Sequence, residues 1–202
     1  MIGEREYRWS TCIAHGYSWT PTTVASKLLY EAEILFGPMQ TKFRYVGVDY
    51  SDINRPQTWY PGSSNVCILI TKHLLDRPNW FNMIYQVSHE IIHVLCSQPK
   101  VIKGANYLEE GLATWFSIHG CESIIGFGLN EYYSDLFLSY TKLNNKYYKA
   151  YCLYVSLISI EPNAINILRQ YKPILSELET NDFSTMLKNV DIELVSQLLE
   201  IF

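Results

Sequence analysis

Residues 80–96 run without a glycine or proline, directly after Arg77-Pro78-Asn79, a helix-start signal. Within that run Trp80, Ile84, Val87, Ile91 and Val94/Leu95 recur at spacings of four and three, the period of a helix that buries one stripe. Asn82, Gln86, His89, His93 and Cys96 form the opposite stripe. A helix this apolar on one side obliges the chain to build a core around it. Both histidines leave the face that packs, so they need another reason to be there.

Two histidines four apart on a helix project from one face, about one turn apart. Zinc takes imidazole nitrogens at about 2.0–2.1 Å, so a rigid helix supplies two ligands without ordering a loop. Glu90 directly follows His89 and cannot join the same ligand pair. It can reach a water on the metal, the H-E-x-x-H arrangement of zinc hydrolases with Glu as general base. A catalytic zinc also needs a third protein ligand and an open position. The segment 106–116, Asn-Tyr-Leu-Glu-Glu-Gly-Leu-Ala-Thr-Trp-Phe, offers that ligand. Sixteen residues separate His93 from Glu110, room for a turn and the start of a second helix. Glu109 and Glu110 point about 100° apart on a helix, so one can ligate and the other cannot. The one that does not ligate reads as an exposed first-turn carboxylate, favourable at a helix N-terminus.

The His89–His93 pair followed by Leu108-Glu109-Glu110-Gly111-Leu112-Ala113 resembles the gluzincin metallopeptidases. It is most similar to their aminopeptidase-like branch, where an N-E-G-[FL]-A segment on a "glutamate helix" carries the third ligand. The resemblance implies Glu110 as that ligand, with Glu109 in place of the usual Asn. Tyr147-Tyr148-Lys149-Ala150 is similar to the Y-x-K-G segment of those enzymes, which implies an oxyanion-stabilising role for Tyr147. In a chain with 16 tyrosines, Tyr147 and Tyr148 also read as core aromatics. The resemblance covers residues 65–170. The His93-to-Glu110 spacing is a little shorter than in the aminopeptidases, and no G-x-M-E-N segment reads a substrate's free amino group. A small, one-domain relative of the minigluzincin kind fits better than an aminopeptidase.

The rest of the chain is read around that helix. Tyr7, Trp9, Thr11 and Ile13 alternate as in a first strand. Thr20-Pro21 starts a helix that Gly37-Pro38 stops, with Val24, Leu28 and Leu35 on one side. Residues 43–48 read as a strand, 51–64 as a loop punctuated by Pro56 and Pro61-Gly62, and 65–71 as a mostly buried strand. His119-Gly120 reads as a helix end. Helices are expected at 131–143, 147–160, 163–171, 182–188 and 191–201, with Asp182 and Asp191 as N-caps. The expected class is α+β and zincin-like. A small upper sheet with backing and active-site helices (about 1–98) meets a mainly helical lower lobe (about 99–202), in one catalytic domain over 1–202.

Composition narrows the partners. A hydrophobic content of 48 % is ample for a core. A net charge of −4, with the signs mixed, gives no reason to expect nucleic acid or an anionic membrane. Five widely spaced cysteines (Cys12, Cys67, Cys96, Cys121, Cys152) without a C-x-x-C read as reduced core thiols of a cytoplasmic protein. Cys96 continues the histidine stripe and is a minor candidate to approach the metal. The polar N-terminus lacks the apolar core of a signal peptide, and the longest apolar stretch, 150–160, is too short to span a bilayer. His15, His73 and His119 read as structural.

The expectation is one Zn²⁺ per chain on His89, His93 and Glu110. Glu90 is the general base, Tyr147 an oxyanion donor, and an extended peptide or protein substrate pairs with the strand at 65–71. The alternative is a metalloprotease-like regulator or binding protein that retains zinc but has a single partner substrate or no turnover.

Overall fold

The structure, a computed structural model, describes residues 13–14, 17–18, 20–71, 80–97, 104–125 and 145–202. The expected helix at 131–143, most of the expected first strand, His15, His73 and Cys12 lie outside the described residues. The fold is α+β and mostly helical, with a small three-stranded mixed sheet.

A short antiparallel pair, β1 (Ile13–Ala14) and β2 (Tyr17–Ser18), precedes the first helix, α1 (Pro21–Phe36). Thr20 caps α1: its hydroxyl accepts from the Thr23 amide at 3.2 Å, and the Thr23 hydroxyl accepts from the Thr20 amide at 2.8 Å. Val24 and Leu28 are buried as expected, but Leu35 is 40 % exposed. The last turn puts Phe36 inside instead, edge-on to Trp115 and Phe116 at 6.2 and 6.0 Å.

The sheet has the order β3 (Arg44–Ser51), β5 (Asn65–Thr71), β4 (Gln57–Trp59). β5 is parallel to β3 and antiparallel to β4. Val66, Ile68 and Ile70 are fully buried, which suits a strand flanked on both edges. Two expectations change here. The stretch 51–64 is not all loop, because β4 forms within it against β5. And β5 is central: β3 pairs along one edge, and β4 covers Cys67–Leu69 on the other, so that stretch is closed to a substrate strand.

The motif helix is α2 (Trp80–Leu95), and its expected stripe is its core face: Ile84, Val87, Ile91, Val94 and Leu95 are fully buried. It packs against α1, against β5 and most extensively against α3 (Tyr107–Ile125). α3 runs straight through His119-Gly120, so the expected helix end there is wrong. Gly120 serves close approach rather than a cap: a Cβ at that position would overlap the Ser88 hydroxyl on α2. Gly111 does the same on the other side. A Cβ there would run into the Ala150 carbonyl and lie 2.8 Å from Tyr154 Cβ on α4 (Asn145–Ile160).

The chain ends in α5 (Ala164–Tyr171), a 3-10 turn (Leu175–Glu177), α6 (Thr180–Met186) and α7 (Ile192–Leu199). Asp191 caps α7 as expected, accepting from the Glu193 amide at 2.7 Å. Asp182 is not an N-cap: α6 starts earlier, Glu179 is the cap, and Asp182 reaches back to the Glu179 amide at 2.7 Å. Among the described residues no single helix is long and apolar enough to cross a membrane.

Candidate metal centre

α2 and α3 bring the site together. The first turn of α3 is fixed by Asn106, whose side chain accepts from the Glu109 amide at 3.0 Å and donates to the Leu175 carbonyl at 3.0 Å. This turn aims Glu110 at the two histidines of α2. The His89 and His93 Nε2 atoms are 3.4 Å apart. Glu110 Oε2 lies 3.3 Å from His89 Nε2, and Glu110 Oε1 lies 3.6 Å from His93 Nε2. Their ligand atoms all fall within 4.8 Å of one another, so the three can hold a metal ion. Glu110 Oε2 is buried, with His89 Nε2 at 3.3 Å but outside hydrogen-bond alignment.

The electrostatics keep the cluster charged. Burial opposes the charge of Glu110, yet His93, His89 and Lys146 outweigh it and hold its carboxyl down at about 2. Burial likewise works against a protonated His93, but Glu110, Glu109 and Glu90 outweigh it and hold that ring up at about 10.

Glu109 is not the exposed carboxylate the sequence suggested. It is buried, and its Oε1 sits 2.8 Å from His93 Nδ1. A carboxylate on Nδ1 keeps the hydrogen there and leaves Nε2 free toward the cluster. The signal for this was available: a metal-ligating histidine needs a partner on its other nitrogen, and Glu109 is the acid next to Glu110.

Glu90 is buried, and the Thr58 hydroxyl of β4 donates to its Oε2 at 2.9 Å. Nothing local in the sequence marked Thr58. Tyr147 lies half-buried at the start of α4, its ring 5.9 Å from that of His89 and edge-on to it. Burial first, then the carboxylates of Glu110 and Glu90, raise its hydroxyl, while Arg55 opposes them. Tyr148, next along α4, has its hydroxyl raised by Cys152 one turn on. Tyr85, one turn before His89, is raised mainly by burial and also feels Glu110 and Tyr147.

Cys96 stays outside the candidate group, its buried thiol pushed up to about 12 and so kept neutral, a poor ligand state. Cys67 and Cys121 are buried free thiols, but Cys152 is exposed rather than in the core. His119 stacks on Trp115 at 5.4 Å in mid-helix, where burial lowers it. No protein-family model, curated protein or solved structure matches this chain.

Proposed function

We propose that this chain is a zinc-dependent peptide hydrolase of the gluzincin, zincin-like kind. The observation that carries the reading is the spacing of the donor set. Ligand atoms about 2.1 Å from a tetrahedral zinc lie about 3.4 Å from each other. The His89 and His93 Nε2 atoms are 3.4 Å apart, and Glu110 turns one oxygen to each of them, Oε2 at 3.3 Å from His89 and Oε1 at 3.6 Å from His93. Two imidazoles and one carboxylate are a catalytic rather than a structural set, since they leave a position open.

Zinc, when bound, lowers the pKa of a water toward about 7 and polarises a carbonyl. Glu90 would serve as the base, holding a proton taken from the attacking water and passing it to the leaving amine. Glu109 keeps His93 in the tautomer that ligates. Tyr147 donates a hydrogen bond to the oxygen on which negative charge develops. An extended peptide seats along the outer edge of β4, beside Glu90, rather than on β5.

Metal analysis with a peptide-library digest tests this. Glu90→Gln should retain zinc and fold but lose ~10²–10⁴ in turnover, the usual weight of a general base. Unchanged peptidase activity in the zinc-replete variant would sink the mechanism. Tyr147→Phe should lower kcat and leave KM nearly unchanged, because an oxyanion donor acts in the transition state. An equal rise in KM with kcat intact would make Tyr147 a binding residue instead.

A further inference from the structure

β4 is three residues long, and its side chains alternate: Gln57 and Trp59 are exposed, and Thr58 turns inward. The Thr58 hydroxyl meets Glu90 on α2, 2.9 Å from Oε2 and 3.3 Å from the backbone carbonyl oxygen. Among the described residues no other hydrogen bond reaches the Glu90 carboxylate. A buried carboxylate held by one neutral hydroxyl is lightly restrained, so the position of that hydroxyl decides which of its oxygens is free.

We propose that Thr58 is a positioning residue for the base, tying Glu90 Oε2 and leaving Oε1 as the atom that carries the proton. The inference rests on the peptidase reading above. The chemistry balances on one oxygen. A water O–H bond breaks as the Oε1–H bond forms; later Oε1–H breaks as an N–H bond forms on the leaving amine. Throughout, Oε2 stays an acceptor, as carboxylate oxygen first and as acid carbonyl second, so the Thr58 bond survives both transfers. A donor on the same oxygen as the proton would be left with the weaker hydroxyl acceptor at each turnover.

The placement also couples two functions. Thr58 belongs to the outer strand of the sheet, opposite Ile68 of β5. A peptide on the edge of β4 that pairs with no strand among the described residues shares its register with the residue that orients the base. Substrate main chain and base are then fixed by the same three-residue strand.

The test uses the zinc-loaded protein with Thr58→Val, which keeps the branched shape, Thr58→Ser, which keeps the donor, and Glu90→Gln. Two readouts are taken: kcat and KM on a peptide cleaved by the wild type, and calorimetric binding of acetohydroxamic acid. That chelator must give its hydroxyl proton to a neighbouring base, so it reports on Glu90 without a known substrate. Thr58→Val should lower kcat and hydroxamate affinity ~10–100-fold, the weight of a hydrogen bond to a charged group. KM, zinc content and Tm should stay at wild-type values, and Thr58→Ser should restore both losses. If Thr58→Val matches the wild type while Glu90→Gln loses both signals, the role of Thr58 is overturned and the peptidase reading stands. Loss of zinc or of Tm in Thr58→Val, or no recovery in Thr58→Ser, makes the residue merely structural and also overturns the role. If Glu90→Gln keeps both signals, Glu90 is not a base and both readings fall.

Discussion

Two buried polar clusters sit around the C-terminal half of α2, and they are opposites. At Arg169 of α5, five N–H···O=C bonds of 2.7 to 3.2 Å end on the carbonyls of Phe36, Gly37, Pro38, Leu95 and Pro173. A guanidinium has five N–H donors, and all are used. At the histidine pair, two residues before Leu95, Glu109 Oε2 and Glu110 Oε2 are buried without a hydrogen bond. Burial of charge alone therefore does not mark a functional site here. Saturation separates the two: the arginine closes the ends of α1 and α2, and the histidine–carboxylate cluster keeps donor atoms that could hold an ion.

The largest expected effect breaks the saturated side. Arg169→Met leaves five carbonyls without a donor and should cost about 3–5 kcal/mol, the scale for breaking a buried charged network. Urea unfolding should show the same loss with and without a chelator. A loss that appears only in the zinc-loaded protein would mean that the two clusters are one system and that the contrast is false.

The open side should respond to metal. Excess zinc at a hundred times its dissociation constant stabilises a folded site by about 2.7 kcal/mol, and Glu110→Ala should abolish that gain together with zinc retention on dialysis. Glu109→Ala should keep the site but weaken zinc ~10–100-fold, because His93 Nδ1 loses the partner that orients the ring. If Glu109→Ala loses the metal and Glu110→Ala keeps it, the two carboxylates exchange roles.

The same contrast explains what the sequence revealed. α2 was legible because its apolar period and its histidine spacing are both local, and both survive into the structure. β5 was legible because a branched apolar run reads as a buried strand, but its central position was not, since edges depend on partners. β4 lay hidden between Pro56 and Pro61, because three residues become a strand only through pairing with β5. With it went Thr58. Gly120 misled because a glycine that ends a helix and a glycine that admits a neighbouring hydroxyl look alike in one sequence. Glu109 misled for a related reason: first-turn position suggests solvent, and only the approach of His93 from another helix makes the carboxylate a buried partner.

A third polar contact, at the surface end of α6, sharpens the scale with the smallest effect. Asp182 Oδ2 accepts from Lys172 Nζ at 2.7 Å and from the Glu179 amide at 2.7 Å. Burial tends to raise its carboxyl, but these two donors prevail and hold it below its usual value. A depressed folded value means stability that is present above the ordinary aspartate range, near 3.9, and lost as pH falls through the folded value. Asp182→Asn keeps an oxygen to accept from Glu179 and removes only the charge facing Lys172. Lys172 is about a third exposed, with solvent screening the pair. The cost at pH 7 should be no more than ~0.2–1 kcal/mol, well below that at Arg169. Denaturation of both proteins at pH 7 and at pH 3 should show the gap narrowing at the lower pH. A gap that stays constant would assign the stabilisation to the backbone cap, which Asn preserves in geometry but not in strength, rather than to the ion pair.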